Sequence, residues 1–113
     1  MTPGRGTIVL ADDPFKGDDA SRPWLIIGTD ETPFHGEQYI ALTLSTKTWH
    51  DERVPIDGDD IIDGGLPKDS SILPWAVVSV EATRIDRELG TLDETLVDTV
   101  VRQLGSYVGL ERR

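Results

Sequence analysis

Between Thr7 and Ala82 every apolar stretch of this chain is cut short by a proline, a glycine or a group of aspartates, and only beyond Thr91 does a hydrophobic pattern of helical length appear. Proline removes a backbone donor and glycine favours turns, so this punctuation predicts a succession of short strands followed by one helix. Residues 7–11 form the first apolar run, and residues 12–22, with Pro14, Gly17 and four aspartates, read as a loop. Pro23 favours an extended backbone at Arg22, and residues 24–27 follow as a buried strand closed by Gly28. Residues 29–38 carry Pro33 and Gly36 and read as a second loop. Residues 39–46 alternate, with Ile40, Leu42 and Leu44 on one face and Ala41, Thr43 and Ser45 on the other, the period of a half-buried strand.

Residues 52–56 predict a short strand that Pro55 confines to an edge. Residues 57–68 hold three glycines, a proline and four aspartates and read as a connection. Residues 71–73 and 76–82 are one long strand bent at Pro74, or two strands. Thr91 and Glu94 have the spacing of a capping box, which predicts a helix start at Thr91. Leu92, Leu96, Val100 and Leu104 then recur every four residues beside Val97, Val101 and Val108, an apolar stripe running to about Tyr107 and stopped near Gly109. The fold class is therefore mainly β with a C-terminal α-helix, a small barrel or sandwich whose open side the helix covers, built as a single domain over residues 1–113.

No apolar run approaches the ~20 residues of a membrane span, and residues 1–6 lack a signal-peptide pattern, so the expected location is the cytoplasm with no membrane contact. The absence of cysteine excludes disulfides and thiolate metal sites. A net charge of −10 comes from 21 acidic and 11 basic residues, with Asp over Glu 14 to 7 and Arg over Lys 8 to 3. Many short carboxylates spread along a chain with 37% hydrophobic residues point to a globule adapted to a salty, halophilic interior, where charge repulsion is screened. Phosphate-loop, dinucleotide and nucleophile-elbow motifs are absent, so no cofactor is expected. His50, Asp51 and Glu52 are adjacent on a turn and point in different directions, and no metal site is expected there.

Six short segments occur in a telling order: Arg5-Gly-Thr-Ile-Val, Pro14-x-x-Gly17, Arg22-Pro23 before a Leu/Ile strand, Thr43-Leu-Ser-Thr46, Gly65-Leu-Pro-Lys-Asp-Ser-Ser-Ile72, and Arg84-Ile85-Asp86 before the last helix. Over about residues 4–110 the chain resembles the MazF/PemK family of toxins from type II toxin–antitoxin systems. The resemblance implies an SH3-like small barrel, a homodimer, and a metal-independent endoribonuclease that cleaves single-stranded RNA and is restrained by a cognate antitoxin. By motif position it assigns catalysis to Arg22 and to the hydroxyl of Ser45, with Thr46 as its alternative. A guanidinium suits the charge that grows on phosphoryl oxygens as the RNA 2′-hydroxyl attacks phosphorus, and a hydroxyl fixes the same phosphate. His35, in the loop before the alternating strand, is the candidate for proton transfer. Asp19, Thr43, Trp49 and Trp75 are candidate RNA contacts, the two tryptophans as stacking platforms, while Trp24 is expected in the core. Two rival functions are a catalytically inactive binding module on the same barrel and a gyrase-targeting toxin of the same fold.

Overall fold

The computed structural model describes residues 2–13 and 20–110. Seven strands, β1 (Thr7–Asp12), β2 (Ser21–Ile26), β3 (Gln38–Ser45), β4 (Val54–Pro55), β5 (Ile61–Gly64), β6 (Ser71–Glu81) and β7 (Ile85–Leu92), precede one helix, α1 (Glu94–Tyr107). They form a single antiparallel sheet, in the order β4-β6-β3-β2-β1-β7-β5, curled into a half-barrel. Strand alternation divides the core in two. Ile8, Leu25, Leu42, Leu44, Ile72 and Leu92 pack against Val97 and Val100 of α1, while Val9, Ala11, Trp24, Ile26, Tyr39, Ala41 and Val80 form a second cluster. Successive residues of β1, β2 and β3 thus serve opposite faces, the geometric consequence of a two-residue period. Leu96, Val101 and Leu104 extend the helical stripe, whereas Val108 lies past the helix and is exposed. No helix among the described residues is long and apolar enough to cross a membrane.

Most strand expectations hold within two or three residues, including the edge position of β4 and the single bent β6. No strand was expected between Ala82 and Thr91, where β7 lies, and two expectations need correction. Residues 57–68 are not merely a connection, because β5 pairs with β7 on the far edge of the sheet. Its glycines allow this: a Cβ on Gly90 would come within 2.5 Å of the Asp63 carbonyl oxygen, so only glycine lets the two backbones approach. The helix also starts later than the capping-box spacing predicts. Thr91 is paired with Thr7 in the sheet and Leu92 is buried in the core, so Asp93 is the N-cap and α1 begins at Glu94. A long-range ladder outweighs a local capping pattern here.

The ends of β2 and β3 separate for a local reason. Ile27 N–H donates to the Ile40 carbonyl at 3.0 Å, and the register then runs through Leu25↔Leu42 and Trp24↔Thr43, where pairing stops. Hydrogen-bonded pairs alternate along an antiparallel ladder, so the next such pair would join residue 23 to Leu44. Residue 23 is proline and has no N–H to give. The ladder opens at that point, and the gap becomes the floor of a cavity.

Candidate active site

A cavity of about 730 Å³ lies over this opening, lined by Leu10, Asp13 and residues 20–23 from the β1–β2 side, by Thr43 to Lys47, Trp49 and His50 from β3 and the segment after it, and by Pro67, Lys68, Ser70 and Leu73. Arg22 sits at its base. Its Nη2 donates to the Leu44 carbonyl at 2.7 Å, supplying the hydrogen bond that Pro23 cannot. Nη1 is 3.3 Å from Oδ2 of Asp13, whose side chain is 3% exposed, and the guanidinium carbon lies 5.4 Å from the ring centroid of the buried Trp24. The buried Nε has no hydrogen-bond partner. A guanidinium pinned by a carboxylate, a carbonyl and an indole face is held in place with donor capacity unspent.

Continuing the β2–β3 register across the gap would set Ser45 opposite Arg22. Ser45 is nearly buried, pairs with Ser71 of β6, and its Oγ accepts the Lys47 N–H at 3.1 Å, which leaves the hydroxyl proton for another acceptor. Thr46 also lines the cavity and is exposed. Thr43 is committed differently: its Oγ1 donates to the Ala76 carbonyl at 3.0 Å. That bond braces a bulge, since β3 pairs Leu42 with Val77 but Thr43 with Leu73, so Pro74, Trp75 and Ala76 are extra residues on β6.

The structure brings Arg22, Ser45, Thr46, Thr43 and Trp49 to one cavity. Trp75 stands just outside it on the β6 bulge, 38% exposed, facing a small notch shared with Glu52 and Tyr107. His35 is elsewhere: its ring packs edge-on against Tyr39, which pairs with Val80 at the other end of β3 from Ser45. Six residues at ~3.3 Å each put Tyr39 ~20 Å from Ser45. Asp19 lies outside the described residues.

The cavity residues that were not anticipated include Asp13, Lys47, Lys68 and His50. The chain has only three lysines, and two of them line this one cavity. Their scarcity in an acidic chain was the available signal, but neighbours 21 positions apart in sequence carry no mark of sharing a site. Lys47 Nζ lies 5.4 Å from the centroid of Trp49, a cation–π contact at the rim. Among the described lining residues Asp13 is the one carboxylate, and it is buried against Arg22. Among the described lining residues cations therefore outnumber carboxylates, on a molecule of net charge −10.

A family model of the PemK-like, MazF-like toxin of type II toxin–antitoxin systems matches residues 4–108. The chain belongs to that family. Among curated proteins none matches it. Solved structures share the fold of this family member across nearly their whole length. An endoribonuclease from mycobacterial species is 18% identical with a TM-score of 0.76, covering 100% of this chain and 97% of the other. An endoribonuclease in complex with its cognate antitoxin, also mycobacterial, is 19% identical with a TM-score of 0.74 over 99% and 98%. MazF from Deinococcus radiodurans is 16% identical with a TM-score of 0.75 over 96% and 98%. At this level of identity the likeness establishes the toxin family's fold, and the residue geometry carries the chemistry.

Proposed function

We propose that this family member is an endoribonuclease toxin that cleaves single-stranded RNA without a metal ion and is held in check by a cognate antitoxin. The observation that carries the reading is the cavity's charge. Arg22, Lys47 and Lys68 converge there while the rest of the molecule is acidic, so a polyanion is attracted to this cleft and repelled elsewhere. The solved relatives supply the class of polyanion, being an endoribonuclease and an endoribonuclease bound to its antitoxin.

In this reading Arg22 contacts the scissile phosphate. The RNA 2′-hydroxyl gives its proton to water as its oxygen bonds to phosphorus, the bond from phosphorus to the 5′-oxygen breaks, that oxygen takes a proton from water, and the products are a 2′,3′-cyclic phosphate and a 5′-hydroxyl. Negative charge rises on the non-bridging oxygens during this step, and a guanidinium already fixed by Asp13 and the Leu44 carbonyl stabilises it with little reorganisation. Ser45, with Thr46 as the neighbouring alternative, donates its hydroxyl to the same phosphate, and Trp49 and Trp75 offer stacking surface to bases on either side. Thr43 supports this arrangement through the β6 bulge. The toxin acts as a homodimer in a saline cytoplasm, and the partly exposed Ile40 and Val77 on β3 and β6 support a second copy as their cover.

The test compares wild type, Arg22→Ala and Ser45→Ala on mixed-sequence RNA with a chelator present, scoring cyclic-phosphate ends. Wild-type cleavage with loss in the variants upholds the reading. A wild type that binds RNA but cuts none in any salt leaves a binding module instead.

A further inference from the structure

The aromatic side chains at the cavity rim are joined through one residue that the family motifs do not single out, His50. Its Nε2 accepts the indole N–H of Trp49 at 3.1 Å, and the two rings lie 6.1 Å apart at 64°. The same imidazole meets Trp75 with ring centroids 5.2 Å apart at 71°. Trp49 is 70% exposed, an unusual degree for so large an apolar ring, and a mobile surface indole would lose rotamer freedom whenever a ligand settled on it. The bond to His50 removes that freedom beforehand. Trp75 is brought into reach by the three-residue bulge of β6, which Thr43 braces through the Ala76 carbonyl. Both contacts are steep, so neither indole is stacked in parallel on the imidazole and ring-face area remains open.

We infer that His50 is the positioning residue of a nucleobase subsite, holding Trp49 and Trp75 steeply tilted so that bases flanking the scissile phosphate stack on them. The inference rests on the RNA-cleavage reading for the identity of its ligand. Single-stranded RNA is the occupant because cations and aromatic faces occur together here. Lys47 lies over Trp49, Lys68 and Arg22 line the same cavity, and a nucleotide chain presents phosphate together with base. Both aromatic contacts depend on the imidazole: one uses its acceptor nitrogen and the other its ring. They can therefore be removed separately.

The experiment measures Kd for a mixed-sequence 2′-fluoro single-stranded RNA, which lacks the attacking hydroxyl, by quenching of tryptophan fluorescence. KM and kcat are measured in parallel on natural RNA. For His50→Ala, Kd and KM should each rise about tenfold, the scale of one lost base-stacking platform, while kcat stays within about threefold. His50→Phe, which keeps a ring against Trp75 but offers no acceptor to Trp49, should recover part of the loss and guards against a variant that fails to fold. An unchanged Kd in His50→Ala overturns the inference even if wild type cuts RNA well. A fall in kcat with KM intact also overturns it, since His50 would then serve the chemistry rather than the base. If wild type binds the 2′-fluoro RNA, cuts nothing, and still loses tenfold in Kd with His50→Ala, the cleavage reading fails while the subsite stands.

Discussion

The two ends of the β2–β3 pair each carry a histidine and are otherwise built for opposite purposes. At one end Pro23 stops the ladder, the strands part, and Arg22 fills the gap with its guanidinium on the Leu44 carbonyl. Lys47, Lys68 and His50 gather around it. At the other end the ladder runs on through Ile27 and Ile40 into a tight loop whose ionisable residues, between Gly28 and Gln38, are Asp30, Glu31, His35 and Glu37. His35 there packs on Tyr39 with no basic residue in the loop. A histidine stands at either end, but only one end has the charge to hold a phosphate near it. The difference teaches that the site needs both the interruption of pairing and the cations gathered around it.

The sharpest contrast is between Arg22→Ala and His35→Ala. Loss of a donor aimed at transition-state charge is expected to cut RNA cleavage about 10²–10³-fold, against less than about threefold for a residue beyond reach of the cavity. Single-turnover cleavage of RNA, with circular dichroism to confirm folding, checks both. A large effect at His35 would break the comparison, for instance by showing that a second copy brings its hairpin end to this cavity. Ser45→Ala should follow with a loss of about tenfold in kcat, since a nearly buried hydroxyl opposite Arg22 positions one phosphate oxygen. Thr46→Ala, at the exposed neighbour, should cost less than about twofold, and the reverse order would move the hydroxyl role to Thr46.

Charge comes next. Replacing Lys47 and Lys68 by Gln should weaken 2′-fluoro RNA binding about three- to tenfold and reduce the slope of log affinity against log salt by about 1.4, from ~0.7 per phosphate contact on a single strand. Glu31→Gln with Glu37→Gln, at the hairpin end, should leave that slope unchanged. The smallest effect concerns stability. Lowering KCl from roughly 2 M to 0.05 M lengthens the screening distance severalfold and should lower the melting temperature of a chain with 21 carboxylates. The Glu31/Glu37 double variant should recover part of that loss, with each substitution worth less than about 0.5 kcal/mol. A melting temperature flat across the series would remove the saline adaptation.

Local order was enough for much of this molecule. Glycine, proline and the two-residue period set the approximate places of five strands, β1 to β4 and β6, and the four-residue stripe set the helix face, because backbone chemistry and side-chain direction act over a few residues. Arg22-Pro23 and the residues ending β3 were legible as site candidates from their order along the chain. The sequence alone could not place β5, since the glycines at 64 and 90 read as loop formers until their backbones are seen to need each other's proximity. Nor could it start the helix correctly, because Thr91 has a sheet partner 84 positions earlier at Thr7. The cavity itself belonged wholly to the tertiary structure. Lys47 and Lys68, His50 and Trp75, and Pro23 and Leu44 acquire their roles from pairings between distant segments, and charge, stacking and hydrogen bonding depend on distance in space, which separation along the chain does not report.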